Sequence, residues 1–103
     1  MKRLLFITCL LFFSCEDRTN EDGNNENGQK KYEYTYKDGE PDGLRTGWYE
    51  NGNKEYEVTY KDGEWDGLST WWYKNGQKSR ERTYKDGNFI SQKNWYKDGS
   101  VVE

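Results

Sequence analysis

The chain has 103 residues, 16 Lys and Arg against 19 Asp and Glu, a formal charge of −3, and no histidine. Only 31% of it is hydrophobic and 34% is charged, a balance that leans toward disorder, but Phe, Trp and Tyr make up 17%, more than an unstructured acidic chain carries. These figures exclude a second large domain, disfavour a nucleic-acid partner, and remove imidazole as general base and as metal ligand.

At the N-terminus, Lys2 and Arg3 precede an apolar run from Leu4 to Phe13 that is interrupted only by Thr8 and Cys9. A charged start followed by an apolar stretch of about 7–15 residues is the pattern of an export signal, and it falls short of the roughly 20 residues that cross a bilayer. The end of this run, Leu11-Phe12-Phe13-Ser14-Cys15, resembles the lipobox of bacterial lipoproteins. The resemblance implies removal of residues 1–14, lipidation at Cys15, and an exported protein held at a membrane of the cell envelope. An ordinary secretory signal in which Cys15 is incidental is the other reading. Residues 15–28 follow as the anchor and a tether. From Glu16 to Gly28 there are five acids, one base and no apolar side chain, so the segment is expected to stay disordered and solvated, spanning roughly 20 Å.

The remainder, 29–103, is organised by repetition. Asn27-Gly28, Asn51-Gly52 and Asn75-Gly76 recur every 24 residues, as do Asp38-Gly39, Asp62-Gly63 and Asp86-Gly87. Trp48-Tyr49 and Trp72-Tyr73 keep that step, and Trp95-Tyr96 follow 23 later because the third copy has lost one residue. Ten of the eleven glycines follow Asn or Asp, and Gly47 is the exception, so most glycines read as turn punctuation. Between the turns lie short segments rich in Tyr, Trp, Thr and Val, which is strand composition at strand length. No alanine is present, and no helical apolar period survives beyond Cys15. The expectation is an all-β fold: an elongated, single-layer antiparallel sheet of about three tandem 24-residue hairpins. Each hairpin would run as Leu68 to Tyr73, a tight turn, then Lys78 to Tyr84, with a wider Asp-Gly-x-x-Asp-Gly connection to the next.

Strand alternation predicts the faces. Joining Leu44, Thr46 and Trp48 to Tyr56, Val58 and Tyr60 on one side requires a three-residue Glu50-Asn51-Gly52 loop with Gly52 left-handed, which pairs Thr46 with Tyr56. On that register one face carries Tyr32, Tyr34, Tyr36, Leu44, Trp48, Tyr56, Val58, Tyr60, Leu68, Trp72, Tyr84 and Trp95. The other carries Glu55, Glu57, Thr59, Ser79, Glu81 and Thr83, with a column of Tyr49, Tyr73 and Tyr96 beside Trp71. Arg80 and Arg82, standing where Tyr56 and Val58 stand one copy earlier, would mark the end of the stack. Beyond Cys15 the aliphatic residues are Leu44, Val58, Leu68, Ile90, Val101 and Val102, so the core is thin, stability marginal, and the sheet edges open.

Tyr-Lys-Asp-Gly-Glu-x-Asp-Gly-Leu at 36–44 and 60–68, with Trp-Tyr-x-Asn-Gly-x-Lys at 48–54 and 72–78, resembles the MORN-type β-hairpin repeat, and more narrowly the bacterial YwqK-family, antitoxin-like variant. The likeness spans about residues 27–99. It implies a sheet that acts by binding without catalysis, and a protein partner such as a toxin. In the third copy, Asn88-Phe89-Ile90-Ser91 lacks the second Asp-Gly pair, so that hairpin is expected to be distorted.

Chemistry-bearing constellations are few. Asp62-Gly63-Glu64-Trp65-Asp66-Gly67 looks like the start of a calcium loop, but the twelfth position is Tyr73 where a bidentate Glu is required, so a polar turn is the better reading and no metal or other cofactor is expected. Carboxylate pairs such as Glu40 with Asp42, or Glu55 with Glu57, recur with the repeat, whereas an active site is normally unique; the serines have no histidine to activate them, and no catalytic residue is assigned. Tyr49, Trp71, Tyr73 and Tyr96 form the candidate binding column. Cross-strand packing explains such aromatics as well as recognition does, and recognition would suit a protein surface or, alternatively, an envelope glycan.

Overall fold

The computed structural model describes residues 18–103; the leader and Cys15 lie outside the described residues. Seven strands follow in order: β1 (Arg18–Asn24), β2 (Lys30–Lys37), β3 (Glu40–Trp48), β4 (Lys54–Lys61), β5 (Glu64–Trp72), β6 (Lys78–Lys85) and β7 (Asn88–Asn94). Each pairs antiparallel with its neighbours in the chain, giving one open sheet in the order β1 to β7, with no helix among the described residues. Cα extents of 53 × 38 × 14 Å are those of a single layer, as expected from the repeats. The thin core is equally plain: Val58, at 6% exposure, is the hydrophobic residue that reaches burial among those described.

The two kinds of turn use different backbone chemistry. Asp38-Gly39, Asp62-Gly63 and Asp86-Gly87 have φ of +51/+83, +50/+85 and +50/+84°, so both residues are left-handed and each pair closes a two-residue reversal whose twist suits the flanking strands. This connection is tighter than the wide one expected. The second Asp-Gly pairs, Asp42-Gly43 and Asp66-Gly67, lie inside β3 and β5 as two-residue bulges: the register passes from Tyr34↔Arg45 to Tyr36↔Pro41, and from Val58↔Ser69 to Tyr60↔Trp65. In β7 the register shift lies between Thr83↔Ser91 and Tyr84↔Phe89, so Ile90 alone bulges and the shortened copy is accommodated within one strand.

The Asn-Gly reversals are the three-residue loops expected. Tyr49 N–H donates to Asn53 O at 2.8 Å, Gly52 N–H donates to Tyr49 O at 3.0 Å, and Gly52 has φ +92°. That loop sets Trp48 opposite Lys54, but the next pair is Gly47↔Tyr56, with Glu55 left out of the ladder. Thr46 therefore stands opposite Glu57, not Tyr56. Lys31 and Ser79 are skipped in the same way in the hairpins before and after. The physical reason is visible at Gly47, the glycine without an Asn or Asp before it. A Cβ there would sit 2.3 Å from the Tyr56 ring, and one at Gly23 would sit 2.4 Å from the Tyr32 ring. Bare backbone lets the phenol lie against the neighbouring strand, and the bulge brings it there.

This second bulge corrects the faces. Tyr32, Tyr34, Tyr36, Tyr56, Val58, Tyr60 and Tyr84 share one side with Arg45, Trp65, Trp71 and Phe89. By strand alternation, Leu44, Trp48, Leu68, Trp72 and Trp95 lie on the other side, with Glu57, Thr59, Glu81 and Thr83. Trp71, expected on the face opposite Tyr56, is paired directly with it.

The expected solvated tether is also corrected. Arg18–Asn24 is a strand paired with β2 from Arg18↔Lys37 to Asn24↔Lys30. Its side chains are largely exposed; backbone ladder bonds and the Gly23–Tyr32 contact hold it, and composition registers neither.

Replacing Gly47 by Ala is expected to destabilise the sheet by about 1–3 kcal/mol through overpacking against Tyr56. Gly52→Ala, where a Cβ meets open space and only the left-handed backbone objects, should cost about 1 kcal/mol. Urea unfolding followed by circular dichroism measures both.

Candidate interaction surfaces

The sheet presents an aromatic–arginine face, a leucine–tryptophan face, and a rim of loops. On the first, ring contacts run both along and across the strands: Tyr32 on Tyr34 at 4.8 Å within β2, Trp65 against Tyr60, Trp71 and Tyr84 at 6.2, 6.1 and 4.7 Å, and Tyr84 against Phe89 at 5.9 Å. The Arg45 guanidinium lies over the rings of Tyr34, Tyr60 and Tyr36 at 4.2, 5.2 and 5.6 Å, and its Nη2 donates to the Tyr36 hydroxyl at 2.9 Å. Cation–π attraction and a hydrogen bond thus bind three strands through one side chain. Arg80 and Arg82 continue the pattern over Trp71 and Phe89 at 5.9 and 5.8 Å.

Tyr34 and Tyr56 share a hydroxyl–hydroxyl hydrogen bond of 2.9 Å. Burial, followed by that bond, pushes the Tyr56 phenol well above its ordinary value. Tyr49 is pushed up too, by burial and then by the negative charge of Glu55.

On the second face the three tryptophans of β3, β5 and the residue after β7 recur every second strand, which spaces them about 9–10 Å apart. Lysines cover two of them: Lys54 Nζ stands 5.7 Å from Trp72, and Lys78 and Lys93 stand 5.4 and 5.5 Å from Trp95. Lys54 and Lys78, with Lys30 at the equivalent place in β2, also pair with glutamates: Lys30–Glu33, Lys54–Glu57 and Lys78–Glu81 stand at 3.1, 2.8 and 3.0 Å. A strand would normally turn residues three apart to opposite faces; the bulged residue between them brings each pair together. Leu44 and Leu68 remain 47% and 49% exposed among the described residues.

The predicted column is divided. Tyr49, Tyr73 and Tyr96 stand at equivalent places where strands enter loops, and the first two line one shallow cleft with Lys74, Asn75 and Lys97. Their hydroxyls are used inside the fold: Tyr49 donates to Trp72 O and Tyr73 to Trp95 O, both at 2.7 Å. Tyr96 is 55% exposed. Trp71 makes its ring contact with Trp65 within the aromatic–arginine face. Sequence reasoning assigned no role to Arg45 or Trp65. Pro41, Trp65 and Phe89 recur at the 24-residue step in the x of Asp-Gly-Glu-x or its remnant, and Lys-x-x-Glu recurs at 30, 54 and 78; those two signals mark the aromatic row and the bulge. No group of three or more Cys, Asp or Glu that could hold a metal ion occurs among the described residues.

Raised phenol values imply a definite pH response. A tyrosine that holds its proton more tightly when folded contributes stability that is fully present below its unfolded value, near pH 10, and is lost as pH rises through the folded value. Thermal melts between pH 9 and 12 are expected to show this alkaline loss, and Tyr56→Phe to flatten it.

Among curated proteins and among solved structures nothing matches the chain. Residues 41–62 and 65–86, which are the β3–β4 and β5–β6 hairpins with their loops, each match the MORN repeat variant.

Proposed function

We propose that this chain is an exported binding module, lipid-anchored through Cys15, whose MORN-type sheet engages a protein partner in an antitoxin- or immunity-like role. The observation that carries the binding reading is the leucine–tryptophan face: Leu44 and Leu68 are about half exposed on a single layer, among tryptophans beside which Lys54 and Lys78 are already paired with Glu57 and Glu81. A flat apolar patch rimmed by neutralised polar groups fits a protein surface better than a charged ligand. Export and the anchor are supported by the leader pattern and by the Leu11–Cys15 likeness to a lipobox. The immunity-like role is supported by the sequence resemblance alone. An envelope-glycan platform on Tyr49, Trp71, Tyr73 and Tyr96 has less support, because two of those hydroxyls serve neighbouring loops and Trp71 packs on Trp65.

Leu44→Glu and Leu68→Glu, at positions too exposed to be needed for folding, are expected to lower affinity for a co-purified and identified partner at least about tenfold. Folded variants that keep the partner at wild-type strength would remove this face from consideration. The anchor is tested separately: the wild type should partition into the detergent phase on cloud-point extraction, and Cys15→Ser into the aqueous phase.

A further inference from the structure

The aromatic–arginine face carries positive charge that its own residues do not answer. Outside the bulges, the carboxylate that pairing places on this face is Glu21 of β1, at the far edge of the sheet, where it accepts from the Tyr36 hydroxyl at 3.3 Å. Arg80 and Arg82 stand on β6, opposite Asn94 and Gln92, at positions that hold Tyr56 and Val58 one copy earlier. Arg80 is exposed, and its guanidinium lies over the Trp71 ring at 5.9 Å with no hydrogen bond among the described residues. Arg82 lies over Phe89 at 5.8 Å; its Nε donates to Gln92 Oε1 at 2.6 Å and its Nη1 to the Tyr84 hydroxyl at 3.2 Å, which leaves Nη2 unused. Among the described residues neither guanidinium has a carboxylate partner, whereas Lys54 and Lys78 on the opposite face each have one.

We propose that this pair of guanidinium groups receives an acidic segment of a partner protein, extended and with carboxylates on alternate residues. Arg80 and Arg82 are two apart on one strand, so their side chains leave the same face about 6.6 Å apart, and alternate residues of a second extended chain repeat at the same interval. Two glutamates in a Glu-x-Glu stretch therefore meet the two forks in register, with the residue between them turned away. The rings hold both guanidinium planes and shield one side of each from water, so less freedom is lost when a carboxylate pairs. Two charges within a chain of net −3 suit a short acidic stretch, since a long polyanion would run on past them into the acidic remainder. Arg45 is not part of the site, because its guanidinium is already taken up by Tyr34, Tyr36 and Tyr60. The site lies on the face opposite Leu44 and Leu68, so it is tested independently of them.

Titrating the 15N-labelled full chain with acetyl-Glu-Gly-Glu-Gly-Glu-amide in about 20 mM salt is expected to give saturable shifts at Arg80, Arg82 and the Trp71 indole at about millimolar affinity, weakened at least about fivefold in about 200 mM salt. The same peptide with glutamine in place of glutamate should bind at least about tenfold more weakly. Arg80→Gln combined with Arg82→Gln should abolish the shifts. Arg80→Gln alone, at an exposed side chain without hydrogen bonds, keeps the test open if the double variant does not fold, and should weaken binding roughly three- to tenfold. Lys78→Gln, on the other face, should leave the affinity within about twofold of the wild type. A flat wild-type titration, equal affinity for the two peptides, or wild-type affinity in folded Arg80→Gln would overturn the site. So would tighter binding of a short oligothymidylate at the same signals, which would assign this face to single-stranded nucleic acid.

Discussion

Much of the architecture depends on a phenol ring resting on bare backbone. Tyr56 lies against Gly47 and Tyr32 against Gly23, so close that a single methyl group would collide with the ring. The contact is reached only because one residue of each second strand is dropped from the ladder just past the loop. From that displacement follow the segregation of phenols and guanidinium groups to one face, the exposure of Leu44 and Leu68 on the other, and the otherwise unlikely meeting of Lys54 with Glu57. In the hairpin of β5 and β6 the pair is Trp71 opposite Arg80, and the same displacement is held by a guanidinium over an indole.

A single layer with so little buried hydrocarbon needs other sources of cohesion, and they lie at its margins as well as on its faces. Along one rim, Asn and Tyr side chains reach the carbonyls of the following loop. Along the other, Gly63 N–H donates to Pro41 O and Gly87 N–H to Trp65 O, each at 2.8 Å, while Asp42 Oδ2 accepts from Asp62 N–H at 2.9 Å. Each such bond contributes on the order of 1 kcal/mol, but together they tie successive turns along one rim and the last three Asn-Gly and Asp-Gly loops along the other. The ion pairs on the leucine–tryptophan face are half exposed and add little to this.

Repeat period, fold class and the three-residue Asn-Gly loop were readable in the residues themselves, because Gly after Asn takes the left-handed backbone where it closes a turn; the tight Asp-Gly reversal was not, since the second Asp-Gly pair looked like part of the same connection. The faces were not. Alternation counted from Glu50-Asn51-Gly52 is correct up to Trp48 and Lys54, then fails at Glu55, where a local bulge outranks a pattern summed along the strand. Asp22-Gly23 and Asp42-Gly43 have the spelling of turns but sit within strands, since only pairing decides whether such a dipeptide reverses the chain or bends it. Polar β1 escaped notice for a related reason: ladder hydrogen bonds belong to the backbone and leave no mark on composition. Of the predicted column, the places of Tyr49 and Tyr73 follow from the repeat, but their engagement with Trp72 O and Trp95 O depends on the reach from one loop to the next, which no one-dimensional pattern encodes.

The order of the sheet simply copies the order of the chain, and that has a consequence for how the molecule comes apart. No strand waits for a distant segment to complete it, so closure costs little and assembly can start at any hairpin. Dissolution can likewise begin at a flank and peel inward one ribbon at a time, leaving shorter sheets with their remaining contacts intact. Injury to one hairpin would then be contained by its immediate neighbours, as in a zip fastener that loses teeth at one end and still holds in the middle.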